Sequence, residues 1–372
     1  MRILLVTEYS PYKTNSGASQ RTHWLWRALS ELGTVDVLLL SPGTATESSP
    51  SDEGFTCAAT YRVWPLGLRK YAPDQLLAAK LQEKLDLATY DLICGRYLGP
   101  ISKLCIPQGT PTIVDLDDIG YVYAASAGPF GRLGARTKSL VRAILEHREF
   151  RRYSRFWFVS QRDRQRLRHL LGGVLPNIPL FPDNVPDFDS PDGCILFVGA
   201  LWYGPNREGV ERFLAKCWPA IRHAEPDARL HLVGGAPKAD RNRWSSCHGV
   251  HASGFVDCLA DVYQQAAFTI APIYSGGGTN IKVLEAFAYG RTCVTTPHTI
   301  KAFSPDLTGT EDALSAHDDQ EMIAACLRLL RSSPLRATLA RRGHEIIQRR
   351  FSYEIFRESV LQQIKCLPIR SG

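Results

Sequence analysis

The chain has 372 residues, 44% apolar and 22% charged, a composition that suits a packed protein of two ordinary domains and excludes a disordered or fibrous one. Its net charge of +7 sits entirely in the first half: residues 1–180 hold 23 Lys and Arg against 16 Asp and Glu, whereas residues 181–372 hold 21 of each. No apolar run reaches the ~18 residues needed to span a bilayer, and the opening MRILLVTEYS is too short an apolar stretch for a secretion signal, so a cytoplasmic protein is expected.

Arg2–Thr7 reads as a buried first strand. The loop EYSPYKTNSGAS follows, then a helix from about Gln20 to Leu32 that stops at Gly33, then a second strand, Val35–Leu40. This order is that of a doubly wound sheet, in which ligands bind at the carboxyl ends of the strands. Gly17, Ser19 and Arg21 are therefore candidate contacts, the latter two for an acceptor. Residues 41–60 read as loop, Leu76–Leu87 as helix, and Asp91–Tyr97 and Thr112–Leu116 as buried strands. The last of these runs into DLDD, Asp115 to Asp118, which puts carboxylates at the expected ligand edge.

A basic amphipathic helix is expected over Thr137–Tyr153, within a segment, 132–168, that holds 12 basic and 3 acidic side chains. That density suits an anionic membrane surface or lipid phosphate; no recognised nucleic-acid motif accompanies it, and no nucleic acid is expected. The strand Phe156–Ser160 and the helix Gln161–Leu171 close the first series. Residues 172–193 carry five prolines and four aspartates and contain the expected linker, 181–192.

A second series follows: strand Cys194–Gly199, helix Arg207–His223, strand Arg229–Val233, strand Val250–Phe255, helix Leu259–Ala266 and strand Phe268–Ile273. Then comes SGGGTNIKVLE, Ser275 to Glu285, placed between a buried strand and a helix whose apolar residues recur at helical spacing. Glycines there let the backbone approach a ligand, and the first-turn amides favour an anion. Lys282 adds a positive charge, and Glu285, a turn further on, can accept from hydroxyls. Phosphate together with hydroxyls points to a sugar nucleotide. The stretch matches neither a P-loop nor GxGxxG. A strand, Thr292–Thr296, and helices over Asp318–Arg331, Pro334–Arg349 and Tyr353–Cys366 complete the chain. The ten cysteines include no CxxC pair and the ten histidines no metal spacing; free thiols and no metal are expected. His248, His251 and His298 read as structural, the Trp24 stripe as core, and Trp202 and Tyr203 as possible ligand contacts.

Two such halves, with the phosphate turn in the second, resemble the GT-B glycosyltransferases. Ile195–Gly199 followed by Pro205-Asn206, then LHLVGG, then SGFVD at Ser253–Asp257, then IAPIYSGGGTNIKVLEAFAYG, resemble the retaining group 1, or GT4-like, family. VLPNI at Val174–Ile178 resembles that family's strand leaving the first domain. The resemblance covers almost the whole chain. It implies an α/β fold of two doubly wound, Rossmann-like domains facing a cleft: residues 1–180 on the acceptor side, completed by the closing helix within 353–372, and residues 193–352 on the donor side.

It further implies that Gly276, Gly277, Gly278, Thr279 and Asn280 cradle a donor diphosphate neutralised by Lys282. Glu285 resembles the second glutamate of the family's E-x7-E motif, which holds the ribose. Gly254, Phe255 and Val256 correspond to residues that hold the base, Gly234 lies on the same edge, and Gly17 resembles the loop glycine that closes over the diphosphate. The chain departs from the pattern at Gly277, where the first glutamate is expected, and at Ala200, where an arginine is frequent. The usual lysine is replaced around Asn206-Arg207, leaving Arg207 as its substitute, and Asp117-Asp118 stand where a His-Asp pair is frequent.

The implied reaction is metal-independent retaining transfer of a hexose-type sugar from a UDP- or GDP-sugar to a hydroxyl of a saccharide, lipid-linked in a polysaccharide or glycoconjugate pathway, at the inner face of the cell membrane. The leaving diphosphate takes the acceptor's proton, and Asp117, Asp118, Lys282 and Glu285 are the candidate catalytic groups. Asp115-Leu116-Asp117 also matches DxD, a metal-binding pair in GT-A enzymes, but the two-domain pattern argues against that fold. A GT-B sugar-nucleotide epimerase, or an inactive nucleotide-sugar-binding partner protein, remains the alternative.

Overall fold

Near-continuous apolar runs cannot leave either face of a strand in water, and here they build two parallel sheets with helices on both faces. The computed structural model describes residues 1–12, 14, 16–42, 56–61, 73–82, 85–117, 144, 146–184, 186–276 and 279–367. The chain divides into two compact units, Met1–Asn177 with Tyr353–Gly372, and Ile178–Ser352.

The sheet of the first unit has seven strands: β1 (Arg2–Thr7), β2 (Thr34–Pro42), β3 (Thr56–Tyr61), β4 (Leu92–Arg96), β5 (Thr112–Leu116), β6 (Arg155–Phe158) and β7 (Gly172–Val174). Their order is β3-β2-β1-β4-β5-β6-β7, and every pairing is parallel. Ile3, Leu4, Leu5 and Val6 are fully buried, as the first strand of a doubly wound sheet requires.

Several elements differ from expectation, among them the helix expected over Leu76–Leu87, which spans Gln75–Gln82. The first helix spans Gly17–Ser30 and starts earlier because Ser16 and Ser19 cap it reciprocally, side chain to backbone in both directions. β3 forms inside a stretch expected as loop, where turn-forming neighbours obscure a short strand that pairs with β2. The helix expected to reach Leu171 ends at Arg166, and β7 follows it. Of the expected basic helix, residues 146–150 are helical, while 137–143 and 145 lie outside the described residues. Its described part is docked: Phe150 and Tyr153 are buried, and the Tyr153 hydroxyl donates to Glu149 at 2.6 Å.

The last helix, Tyr353–Lys365, completes this unit. It buries Phe356, Val360 and Ile364 and lies on the first helix, with the Trp24 and Tyr353 rings 5.4 Å apart and the Arg27 guanidinium 4.1 Å from the Tyr353 ring.

The second unit carries six strands: β8 (Cys194–Val198), β9 (Arg229–Val233), β10 (Val250–Gly254), β11 (Phe268–Ala271), β12 (Cys293–Thr295) and β13 (Leu314–Ser315). Their order is β10-β9-β8-β11-β12-β13, again all parallel. The helix expected over Arg207–His223 is two, Gly204–Lys216 and Trp218–Ala224. Pro219 in the first turn of the second has no N–H to continue the first. A helix at Lys238–Ser245 and the short β13 were not expected. Residues 181–192, expected as a linker, are held within this unit. The buried Arg336 donates to Ser190 Oγ at 2.8 Å and pairs with Asp192, and Arg291 donates to the Asp187 carbonyl at 2.6 Å. Among the described residues no helix is long and apolar enough to cross a membrane.

Candidate active site

Both sheets present polar residues at the carboxyl ends of their central strands, and the two clusters are built differently.

In the first unit, Arg96 ends β4 and Asp115 lies opposite it on β5. The Asp115 carboxylate is fully buried and receives two bonds from Arg21 of the first helix, Nη2 to Oδ1 at 2.6 Å and Nε to Oδ2 at 2.8 Å. Arg96 Nη1 lies 3.2 Å from Asp115 Oδ2, and Arg96 Nη2 donates to Asp117 Oδ2 at 2.7 Å. Asn177 Nδ2 donates to Asp117 Oδ1 at 3.0 Å, and Arg21 Nη1 donates to Asn177 Oδ1 at 3.0 Å. Five residues thus form a closed ring of two cations, two anions and one amide. Arg21 also donates to the carbonyls of Leu175 and Pro176.

Asp117 is the member of the ion pairs that reaches the surface, at 15% side-chain exposure. Burial raises its pKa, but the charges of Arg96 and Arg21 and the bonds from Asn177 and Arg96 outweigh this, so its pKa lies below the ordinary carboxylate value. It is held as an ionised acceptor. Beside it, Tyr97 has φ +71°, a left-handed conformation that is costly for a bulky residue, and its ring lies 4.0 Å from the Arg96 guanidinium.

This ring corrects two expectations. Arg21 is 1% exposed and committed to Asp115, and Ser19 is buried in the helix cap, its hydroxyl donating to the Ser16 carbonyl at 2.9 Å. Neither is presented to an acceptor. The DxD carboxylate oxygens of Asp115 and Asp117 face the guanidinium groups of Arg21 and Arg96 and the amide of Asn177. Gly17 is half-buried at the first position of its helix, and Asp118 lies outside the described residues.

In the second unit the strand ends are crowded with backbone. The Gly234 N–H donates to the Gly254 carbonyl at 2.7 Å, and a Cβ on Gly234 would fall 1.8 Å from the Gly199 carbonyl oxygen. Beyond this edge stand two exposed aromatics, Trp202 (68%) and Phe255 (62%), and the indole lies against Gly235. Val256 is partly exposed beside Phe255.

After β11 the chain turns at Gly276, whose φ of +102° and 2.9 Å clearance from Pro205 Cγ both require glycine. Gly277 and Gly278 lie outside the described residues, and Thr279 is partly exposed. The helix Ile281–Ala288 begins at Asn280, whose side chain does not cap it, because Asn280 Oδ1 instead accepts from Lys282 Nζ at 3.1 Å. The other acceptor of that ammonium is Asn206 Oδ1, also at 3.1 Å, and the Phe197 ring lies 5.6 Å from Nζ. Burial lowers the Lys282 pKa to about 8, against a smaller opposing effect of the buried Glu285 one turn on and of Cys293. The result is a cation whose hydrogen-bond acceptors are neutral amides, beside first-turn amides of a helix.

Arg207 does not stand in for the missing lysine. Its guanidinium pairs with Asp240 at 2.9 Å and Glu211 at 3.3 Å on the outer helices. The ammonium beside position 206 comes from Lys282. Asn206 was visible in the sequence within Pro205-Asn206, but its contact with Lys282 was not. Asn177 was visible within VLPNI, but its contact with Asp117 was not, and Arg96 carried no local signal.

Residues 192–332 match the family model described as glycosyl transferases group 1. This chain carries a group 1 glycosyltransferase domain. Its structure resembles sucrose-phosphate synthase from Thermosynechococcus elongatus, with a TM-score of 0.72 at 19% identity over 98% of each chain. It also resembles HepE of Anabaena in complex with UDP-glucose (TM-score 0.69, 16% identity, 99% of this chain and 100% of that one). WaaG, a glycosyltransferase involved in lipopolysaccharide biosynthesis, aligns over the whole of both chains with a TM-score of 0.67 at 15% identity. The chain therefore has the GT-B fold of two Rossmann-like domains. No curated protein matches the chain by sequence.

Proposed function

We propose that the protein is a retaining, metal-independent glycosyltransferase that moves a hexose-type sugar from a UDP- or GDP-sugar to a hydroxyl of a saccharide acceptor. The observation that carries this is the Lys282 ammonium. It is partly buried, with neutral amide acceptors, at the start of a helix, on the carboxyl edge where doubly wound sheets take nucleotides. A desolvated cation with neutral partners is stabilised by an arriving anion, and a diphosphate leaving group gains charge in the transition state. The UDP-glucose complex of HepE, a protein of like fold, supports the choice of donor class.

In this reading Gly276–Asn280 and Lys282 hold the diphosphate, Glu285 the ribose, and Gly254, Phe255 and Val256 the base. The diphosphate accepts the acceptor's proton. Asp117, fixed and ionised, accepts a hydrogen bond from a sugar hydroxyl and is no proton acceptor at neutral pH. The basic excess of the first half supports a lipid-linked acceptor in polysaccharide or glycoconjugate synthesis, and a peripheral position at the inner membrane face.

Calorimetric titration with UDP and GDP, followed by product analysis from a donor-sugar panel with EDTA present, tests the proposal. Micromolar binding of one nucleotide and a product that keeps the donor's anomeric configuration are expected. Binding of neither overturns the proposal; conversion of the donor sugar to its epimer without transfer makes the protein an epimerase.

A further inference from the structure

Lys282 is aimed by its neighbours. Its stem passes Gly199, where an added Cβ would sit 3.0 Å from Lys282 Cε and 3.2 Å from Asn206 Nδ2, so no larger residue fits between them. Asn206 is buried in the helix Gly204–Lys216, and its Nδ2 donates to the Ala200 carbonyl at 2.8 Å. That bond fixes the amide's orientation, because the carbonyl can face only a donor. Asn206 Oδ1 is thereby pointed at Lys282 Nζ.

Among the described residues, the groups around the ammonium come from several elements. Asn206 comes from the helix behind it, Asn280 from the turn before, Phe197 from β8, Glu285 from its own helix and Cys293 from β12. The two direct acceptors favour the charged form without cancelling its charge.

We propose that Asn206 is a positioning residue for the nucleotide-sugar donor: it aims the Lys282 ammonium and keeps it protonated, so that diphosphate binding depends on the proton held there. This inference rests on the glycosyltransferase reading and deepens it. The lysine is charged below the pH at which it titrates, so affinity is full on the acid side and falls as the pH rises. With a lysine that titrates at about 8, only the charged fraction binds, and affinity falls about tenfold between pH 7 and pH 9.

The test is calorimetric titration of the intact protein with UDP-glucose and GDP-mannose from pH 6.5 to 9. The wild type is compared with Asn206→Ala, Asn206→Asp and Lys282→Met, each first checked for a cooperative thermal transition. Asn206→Ala removes an acceptor of the charged form, so its affinity begins to fall at lower pH than in the wild type. Asn206→Asp holds the proton more tightly, so its fall moves to higher pH, but its own charge opposes the diphosphate and affinity at pH 7 drops at least tenfold. Lys282→Met binds weakly with no such dependence. A wild-type affinity that is flat across this range, an alkaline fall that survives in Lys282→Met, or identical pH midpoints in the wild type and both Asn206 variants overturns the proposal. Should one Asn206 variant fail to fold, the direction of shift in the other decides. A wild type that binds neither donor at any pH overturns the glycosyltransferase reading itself.

Discussion

The two units each place charge near the carboxyl edge of a parallel sheet and treat it in opposite ways. In the first, Arg21, Asp115, Arg96, Asp117 and Asn177 close a ring in which each charge already faces an opposite one. In the second, Lys282 is left with amide oxygens for partners. A closed ring holds structure, because any single loss strands a charge away from water. An open cation weakens the fold locally and offers the difference to a ligand.

The largest effect expected of this contrast lies in the ring. Asp115→Asn leaves two buried guanidinium groups undercompensated and should lower the stability of the first unit by about 3–5 kcal/mol in urea denaturation. A loss under about 1 kcal/mol would show that the ring is solvated and not a structural core.

Lys282→Met should act in the opposite direction. Its lysine titrates lower in the folded protein than in the unfolded chain, so the folded state binds fewer protons between pH 8 and about 10. The charged lysine therefore destabilises the fold at neutral pH. The methionine variant should be more stable by about 1–3 kcal/mol at pH 7, with the gap narrowing as the pH rises above 8. A destabilised variant would mean that the ammonium is already paid for by contacts within the chain.

Asp117→Asn opens the ring at its surface edge and should cost about 1–2 kcal/mol, less than the buried Asp115 change. The low pKa of Asp117 means that its stabilisation is present above the ordinary carboxylate range and is lost in acid, as the pH falls through its folded value. In the proposed reaction this variant keeps its UDP affinity and loses transfer rate; lost UDP affinity would place Asp117 on the donor. The smallest effect is expected at Trp202. Trp202→Ala, at an exposed position, should leave stability within about 0.5 kcal/mol of the wild type. It should weaken UDP binding about threefold to tenfold if the indole stacks on the nucleotide, as calorimetry would show.

Much of this was legible one residue at a time. Apolar runs such as Phe268–Ala271 and Thr112–Leu116 announced their strands, and the helical spacing in IKVLEAFAYG announced the helix Ile281–Ala288. β3, with its Ala-Ala-Thr run among turn formers, did not, nor did the polar helix Lys238–Ser245. In both, local composition speaks for loop and packing decides otherwise.

The sequence by itself determined the doubly wound halves and the place of Lys282 in the first turn of the helix that follows β11. Only the tertiary structure decided which charges were spent. Arg21 looked like a ligand contact because it follows a loop at the carboxyl end of β1. It became a ring member because β4 and β5 are neighbours, which sets Arg96 against Asp115, and because the chain leaving β7 brings Asn177 alongside. Arg207 looked like the missing cation, and Asp240, 33 residues away in sequence, took it. Charge is counted along a chain, but whether it is available depends on partners that only folding brings within about 3 Å.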